Sequence, residues 1–223
     1  MLQTPSHEFH NPDLLNLIPQ SAKNLIEIGC SSGALAREFK KQNASCDYFG
    51  VEIDPGYAEL ARRHCNQVEV RDLDDVDTAF FLENKHRDVW IFGDTLEHFK
   101  NPWKVLEGIR NVMPGHACVI ACIPNVQHWS LQVRLSMGDF NYEDSGLLDR
   151  THLRWFTRKT IIQMFAQTGL TIIEGSPRIF DEPHREDFLE LIGDLAEAAG
   201  ANREEAMADA TPLQYVIKAV PKT

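Results

Sequence analysis

Residues 24–36 read NLIEIGCSSGALA, an apolar run that passes through a Gly/Ser turn into a helical pattern. Gly29 and Gly33 allow the backbone to turn sharply and to approach a ligand where a Cβ atom would clash. The amides of the first helical turn would then point at a polar group of that ligand. The segment predicts a strand, a tight turn and a helix that together hold a nucleotide-like cofactor.

The spacing of the glycines narrows the kind of cofactor. A fold that binds a dinucleotide pyrophosphate requires G-x-G-x-x-G, with an acidic ribose ligand about 20 residues further on. This chain instead has G-x-x-x-G from Gly29 to Gly33, with Ser31 between them and Glu27 already inside the strand. The spacing argues against a dinucleotide-dependent oxidoreductase.

Composition and net charge limit the kinds of protein that this chain can be. The chain has 223 residues, 43% hydrophobic and 25% charged, which is typical of one globular α/β domain. No apolar run approaches the ~20 residues that span a bilayer, and the five cysteines have neither zinc nor disulfide spacing. We predict a single cytoplasmic domain, residues 1–223, with a homodimer as the oligomeric alternative. The net charge of −11 argues against a nucleic-acid partner, because binding phosphates requires a basic surface.

Apolar runs alternate with helix-periodic stretches along most of the chain, a pattern typical of a parallel sheet with helices on both faces. We predict a doubly wound α/β fold with seven strands, the last of them antiparallel. The predicted strands cover residues 25–28, 48–53, 68–70, 89–92, 118–123, 170–173 and 214–220. The predicted helices cover residues 33–42, 56–65, 74–83 and 102–112, with another after Thr157.

Two segments interrupt this alternation. Residues 125–156 are polar and aromatic without a helical or strand rhythm, and we predict that they form a lid over the acceptor. Residues 180–212 form an acidic insertion before the last strand, with helical character over residues 184–209. Five aromatic side chains could form a floor for a sugar ring or a small core within the lid: Trp129, Phe140, Tyr142, Trp155 and Phe156.

Carboxylates follow three of the predicted strands. Glu52 ends the second strand, 25 residues after Glu27, and can accept both hydroxyls of a ribose. Asp72 follows the third strand and Asp94 the fourth. Such a set suits a cofactor with a sulfonium centre and with hydroxyl and amine donors, whereas a pyrophosphate would be repelled.

Several further segments carry a family resemblance. They read FGDTLEHF at 92–99, IPNV at 123–126, GDF at 138–140 and DRTHLRWFT at 149–157. Together with the Gly/Ser turn they resemble the bacterial class I S-adenosylmethionine (SAM) methyltransferases associated with glycosyltransferases, over residues 8–175. The resemblance implies that SAM is the cofactor, with Asp72 accepting from the adenine amine and the Leu73 amide facing the ring. The cofactor-binding residues that it predicts are Glu27, Gly29, Cys30, Ser31, Gly33, Glu52, Ile53, Asp72, Leu73 and Asp94.

The acceptor chemistry is expected to involve Asp94, Glu97 and His98, whose i, i+3, i+4 spacing places them on one face of a helical turn. RNA 3′-end 2′-O-methyltransferases and ubiquinone-pathway O-methyltransferases carry a similar motif with a later histidine, which His152 matches. These four residues could hold Mg, Mn or Zn. Without a metal, His98 or His152 could act as the catalytic base. A structural alternative makes His98 a hydrogen-bonding residue at a helix start and pairs His152 with Asp149.

We predict SAM-dependent O-methylation of a sugar, a glycan or another small-molecule hydroxyl. Two alternatives stay open at the level of sequence. One is metal-dependent 2′-O-methylation of RNA ends, suggested by the similarity at Asp94, Glu97, His98 and His152. The other is a non-catalytic SAM-binding partner of the kind that regulates methionine-pathway complexes.

Overall fold

The strands of the sheet follow the apolar runs of the sequence. The computed structural model describes residues 4–5, 8–75 and 77–222. The strands are β1 (Asn24–Ile28), β2 (Asp47–Glu52), β3 (Gln67–Val70), β4 (Val89–Gly93), β5 (Cys118–Pro124), β6 (Leu170–Arg178) and β7 (Gln214–Pro221). Their order in the sheet is β3-β2-β1-β4-β5-β7-β6. The first five pair in parallel, and β7 is antiparallel to both β5 and β6, which confirms the predicted doubly wound fold.

The inner strands are predominantly apolar on both faces because helices cover both faces of the sheet. Successive residues of β1 and β4 alternate between two buried clusters. Ile26 and Trp90 belong to one cluster, and Leu25 and Ile91 belong to the other. Since a shift of one residue would exchange the two faces, this double burial fixes the strand register.

Helices connect the strands, and several of them begin at side-chain caps. They are α1 (Pro12–Leu17), α2 (Ala34–Gln42), α3 (Pro55–Ala61), α4 (Thr78–Glu83), α5 (Pro102–Val112), α6 (Trp129–Ser136), α7 (Arg158–Gln167), α8 (Arg185–Ala198) and α9 (Arg203–Ala210). The side chains of Asp54, Asn101 and Thr157 accept hydrogen bonds from the first turns of α3, α5 and α7. Within the described ranges, none of the helices has the length and apolar character needed to cross a membrane.

The structure corrects several predicted boundaries. Residues 125–156 are not wholly irregular, because α6 lies within them; only Leu131 of this helix is buried, so its own pattern is weak. The six-residue helix α1 is absent from the prediction, and β6 continues to Arg178. The predicted acidic helix is two helices, α8 and α9, separated by a turn at Gly200, whose φ is +81°.

The remaining boundary errors lie around α3 and α4. The helix α3 ends at Ala61 rather than at residue 65, and α4 begins at Thr78 rather than at residue 74. A 3₁₀ turn, Leu73–Asp75, precedes α4 because the Asp72 side chain accepts the amide of Asp74. That local bond draws the chain into a turn instead of a helix.

The two acidic helices support residues 125–156. The ring of Trp129 stacks on Phe188 of α8, with centroids 5.5 Å apart. The Asn125 amide nitrogen donates to the carbonyls of Asp209 and Pro212, both at 2.8 Å. These contacts tie both ends of the acidic insertion to the start of the segment that follows β5.

Candidate active site

A cavity of about 880 Å³ lies at the carboxyl ends of the parallel strands. Because β1 pairs with both β2 and β4, the residues that follow these three strands meet at one edge of the sheet. Nine of the ten predicted cofactor residues line the cavity: Glu27, Gly29, Cys30, Ser31, Glu52, Ile53, Asp72, Leu73 and Asp94. The tenth, Gly33, is the N-cap of α2, between the lining residues Ser32 and Ala34.

The Gly/Ser turn is built from left-handed backbone. Gly29, Ser31 and Gly33 have φ values of +74°, +47° and +79°. The turn is held against β2 because the amides of Gly29 and Cys30 donate to the Val51 carbonyl. Ser31 therefore takes a conformation that favours glycine, at a cost of about 1–2 kcal/mol. Gly33, the N-cap residue of α2, has no side chain to cap the helix, and among the described residues we find no other side-chain cap. The first amides of α2 therefore suit a polar group of a cofactor.

Glu52 is held in position by the backbone around it. One carboxylate oxygen accepts the Ser31 amide at 2.8 Å, and the other accepts the amides of Ile53 and Asp54. A carboxylate offers roughly four acceptor positions, so one remains for a ribose hydroxyl. Together with the free start of α2, this geometry fits SAM.

Glu27 is a buried acid behind the turn. Its carboxyl accepts a 2.7 Å hydrogen bond from the Tyr48 hydroxyl. Burial, together with the nearby charge of Glu52, raises its pKa to about 8, because the interior disfavours the charged form. A neutral Glu27 lets two glutamates share this corner of the cavity.

Beyond the third strand, two aspartates line the cavity. Asp72 accepts the Asp74 amide, and the Asp74 carboxylate accepts the Lys100 amide at 2.9 Å. Asp74 therefore connects the loops after β3 and β4. The sequence prediction did not include Asp74 among the site residues, although it is adjacent to the predicted Leu73.

Asp94 is fixed by a strand that is distant in sequence. Its φ is +52°, its amide donates to the Cys122 carbonyl, and its carboxylate accepts from the Gln214 side chain. Gln214 also lines the cavity, and sequence reasoning missed it. No local signal could have revealed it, because only the pairing of β5 with β7 brings it to Asp94.

Two histidines and a glutamate form a compact cluster on the other side of the cavity. The rings of His98 and His152 lie 4.8 Å apart between centroids. Glu97, His98 and His152 each offer a ligand atom, and these atoms lie within 4.8 Å of one another. Asp94 is outside this group of three. The backbone carbonyl of Glu97 accepts the amides of Leu153 and Arg154, which holds the His152 segment in place.

Glu97 lacks hydrogen bonds at its carboxyl group. Its side chain is 1% exposed, and neither oxygen has a hydrogen-bond partner among the described residues. Nε2 of His152 lies 3.9 Å from one of these oxygens, which is too far for a hydrogen bond. Burial raises the pKa of Glu97 well above its usual range, and the charge of Asp94 adds to this. An unsatisfied buried carboxyl is costly unless a ligand completes it.

Both histidines of the cluster are neutral near pH 7. Burial lowers the pKa of His98, and burial together with the neighbouring His98 lowers the pKa of His152 to about 4. His98 is oriented by Thr151, whose hydroxyl lies 3.0 Å from Nδ1. The Asp149 carboxylate accepts from Thr4 and Thr151, rather than forming the alternative pair with His152.

The predicted aromatic floor is not part of the cavity. None of the five aromatic residues lines it. Phe156 packs in the main core against Trp103, and Trp129 packs on Phe188. Phe140, Tyr142 and Trp155 contact one another at the surface.

Comparison with known proteins agrees with this fold and cavity. Residues 8–174 match the family model described as a methyltransferase domain. The chain belongs to this family and is a class I SAM-dependent methyltransferase. It is 22% identical over 200 residues to the malonyl-[acyl-carrier protein] O-methyltransferase of Brevibacillus brevis, covering 84% of this chain and 71% of the relative.

Solved methyltransferases share the architecture. The plantazolicin methyltransferase BpumL in complex with SAH superimposes with a TM-score of 0.61 at 16% identity, covering 95% of this chain and 80% of that one. The putative methyltransferase in complex with the Haloferax volcanii Trm112 activator superimposes with a TM-score of 0.62 at 15% identity. The alignment covers 95% of this chain and 88% of that one. At these identities the likeness concerns the fold.

Substitution of Gly33 tests the turn. A Cβ at Gly33 would lie 3.0 Å from the Ala61 Cα atom, so we expect Gly33→Ala to weaken SAM binding at least ~10-fold, since the start of α2 must shift. Gly138→Ala is the matched control, because Gly138 has a similar φ of +74° with open space around it. Titration calorimetry with SAM measures both variants. Equal affinities would contradict a cofactor role for the turn.

The pKa of Glu27 predicts how stability depends on pH. Between its ordinary value of 4.5 and about 8, the folded protein keeps a proton that the unfolded chain has released. Glu27 therefore makes stability fall as pH rises through this window, with no further loss above it. Glu27→Gln should remove this slope, an effect on the order of a few kcal/mol.

Urea unfolding of the cofactor-free protein at several pH values measures the effect. The exposed Glu107→Gln variant is the control and should retain the wild-type slope. A Glu27→Gln profile parallel to the wild type would show that Glu27 is ionised throughout.

Proposed function

We propose that the protein transfers the methyl group of SAM to a hydroxyl oxygen of a sugar, a glycan or another small molecule. The observation that carries the proposal is the neutral pair of His98 and His152 in the same cavity as the Gly/Ser turn. An alcohol is a poor nucleophile until a base accepts its proton. An unprotonated imidazole beside the cofactor supplies that base.

In this proposal, Glu52, Asp72 and the start of α2 hold the cofactor. SAM supplies an electrophilic methyl group on a sulfonium that leaves as a neutral thioether. Thr151 orients His98, and the backbone bonds between Glu97 and residues 153–154 keep His152 beside it. Residues 125–156 cover the acceptor and exclude water, supported by the acidic helices.

Charge around the cavity favours an uncharged acceptor group. Its lining includes seven carboxyl side chains and two basic ones, Arg71 and Lys100. Arg71 is already paired with Glu69, and Lys100 follows the loop beside Asp74. Among the described residues, no lysine or arginine side chain pairs with Glu97, His98 or His152, although Lys100 lines the same cavity. We therefore favour a hydroxyl over a carboxylate as the acceptor. The same excess of carboxylates, together with the net charge of −11, disfavours RNA ends as the substrate, because the phosphates of RNA bind to basic surfaces.

A second proposal is that Glu97, His98 and His152 bind a divalent cation. The specific support is the buried Glu97 carboxyl, both of whose oxygens lack partners, next to two imidazoles. A carboxylate with two imidazoles suits Mn or Zn, and Mg to a lesser degree. A bound cation would lower the pKa of the acceptor hydroxyl.

Five features remain predictions from the sequence. They are the association with glycan assembly, the cytoplasmic location, the homodimer, the single-domain organisation and the role of residues 125–156 as a lid.

Variants at the histidines and at Glu52 separate catalysis from cofactor binding. We expect His98→Gln and His152→Gln to lower kcat about 10²–10⁴-fold with little change in SAM affinity. Glu52→Ala should weaken SAM binding at least ~10-fold, because a charge-assisted hydrogen bond is lost. Release of SAH with a panel of sugar glycosides measures kcat, and calorimetry measures binding.

His116→Gln is the matched control, since His116 is exposed and outside the cavity. Wild-type rates in the His98→Gln, His152→Gln double variant would overturn the role of the pair. Methylation of carboxylates alone would overturn the acceptor class.

Metal binding is tested on the purified, metal-stripped protein. We expect MnCl₂ or ZnCl₂ to raise the melting temperature, and Glu97→Gln to weaken the interaction at least ~10-fold. The amide is isosteric and uncharged, so the metal-free variant should fold at least as stably as the wild type. Exposed Glu83→Gln is the control. An equal thermal response of both variants would contradict the site.

A further inference from the structure

An exposed aromatic cluster lies on the segment that follows β5. Phe140, Tyr142 and Trp155 are 39%, 56% and 38% exposed. The Phe140 ring contacts both others, with centroids 5.7 Å from Tyr142 and 6.3 Å from Trp155. We call these three residues, with the adjacent exposed Leu153, the aromatic patch. Contiguous exposed apolar groups of this kind mark interaction surfaces.

The patch continues into further exposed apolar residues along the chain. Leu135 and Met137, at the end of α6, are 50% and 69% exposed. Residues 135–155 therefore contain six exposed large hydrophobic side chains, a mixture of aliphatic, aromatic and thioether groups. Tryptophan and tyrosine are the residues that settle at the boundary between lipid headgroups and acyl chains, and the aliphatic members add apolar area.

The charges around the patch suit an anionic surface. The solvent-facing carboxylates of this segment are already paired with arginines: Arg134 with Asp139 and Glu143, and Arg150 with Asp144. Arg154 instead donates to the carbonyls of Leu153 and Lys100. Across residues 4–5, 8–75 and 77–222, no ion pair joins a carboxylate to Arg154 or Lys100. Counted with Arg134 and Arg150, they give four positive charges against the three carboxylates Asp139, Glu143 and Asp144, in a chain whose net charge is −11.

The patch borders the mouth of the cavity. Leu153 of the patch also lines the cavity, and so does Lys100, whose backbone carbonyl accepts a hydrogen bond from the Arg154 side chain. The backbone of Glu143, next to Tyr142, forms an isolated β-bridge with that of Asp149, and Asp149 lines the cavity. A molecule that covers the patch would therefore lie across the route into the acceptor side.

We propose that the aromatic patch docks the protein onto a lipid bilayer containing anionic headgroups. Phe140, Tyr142 and Trp155 enter the interfacial layer, while Arg154 and Lys100 face the headgroup charges. The cavity mouth then opens towards the membrane surface. This inference concerns a surface separate from the histidine cluster, and it holds whichever hydroxyl is methylated.

Vesicle flotation with the full chain tests the proposal without any turnover. We expect binding to vesicles of phosphatidylcholine mixed with an equal amount of phosphatidylglycerol, and weaker binding to phosphatidylcholine alone. The variant with Phe140, Tyr142 and Trp155 all replaced by Ser should bind at least ~10-fold less. Arg154→Gln should lose about fivefold on the anionic vesicles, with less dependence on salt.

The matched control removes exposed leucines elsewhere. Leu191→Ser with Leu195→Ser on α8, where the side chains are 62% and 68% exposed, should bind vesicles like the wild type. Unchanged SAM affinity shows that each variant is folded. If the triple variant does not fold, Trp155→Ser alone is tested in its place. Absence of wild-type binding to anionic vesicles would overturn the proposal. Equal losses in the Leu191, Leu195 control, or self-association abolished by Trp155→Ser, would overturn it as well.

Discussion

The parallel pairing of β1 with β2 on one side and β4 on the other is the constraint on which the site depends. It aligns the ends of the three strands, so the Gly/Ser turn, Glu52 and Asp94 meet at one edge. The hydrogen bond from the Gly29 amide to the Val51 carbonyl continues the ladder into the turn. Because both faces of the inner strands are buried, a register shift would be costly, and the position of the cofactor residues follows from packing.

Strained backbone and buried acids are found at this edge of the sheet, around the cavity. Three described residues other than glycine have a positive φ, and two of them, Ser31 and Asp94, line the cavity. Glu27 and Glu97 are buried acids whose pKa values are raised by desolvation. Such strain and desolvation persist only where the surrounding structure enforces them, and they concentrate at functional sites. In the arrangement proposed above, hydrogen-bonded carboxyls such as Glu52 would face the cofactor, and the weakly satisfied Glu97 would face the acceptor.

The segment after β5 contributes cavity residues that the sheet does not supply. Its inner residues His152 and Thr151 line the cavity beside His98. Its outer aromatic residues remain at the surface instead of forming a floor for the substrate. The acidic helices hold this segment through Asn125 and Trp129. They precede β7 in the chain, and Gln214 at the start of β7 donates to Asp94 in the cavity lining.

The sequence by itself determined the alternating architecture, the turn at residues 29–33 and the caps at Asp54, Asn101 and Thr157. It also determined that the predicted cofactor residues meet at one edge of the sheet. These features are local: they depend on apolar periodicity, glycine geometry and side-chain hydrogen bonds within a few residues. Only the tertiary structure decided that α6 is helical, that Gln214 contacts Asp94, and that Glu97 is buried without partners beside His98 and His152. The physical reason is that these outcomes rest on packing and strand pairing between residues far apart in the chain, which no local pattern encodes.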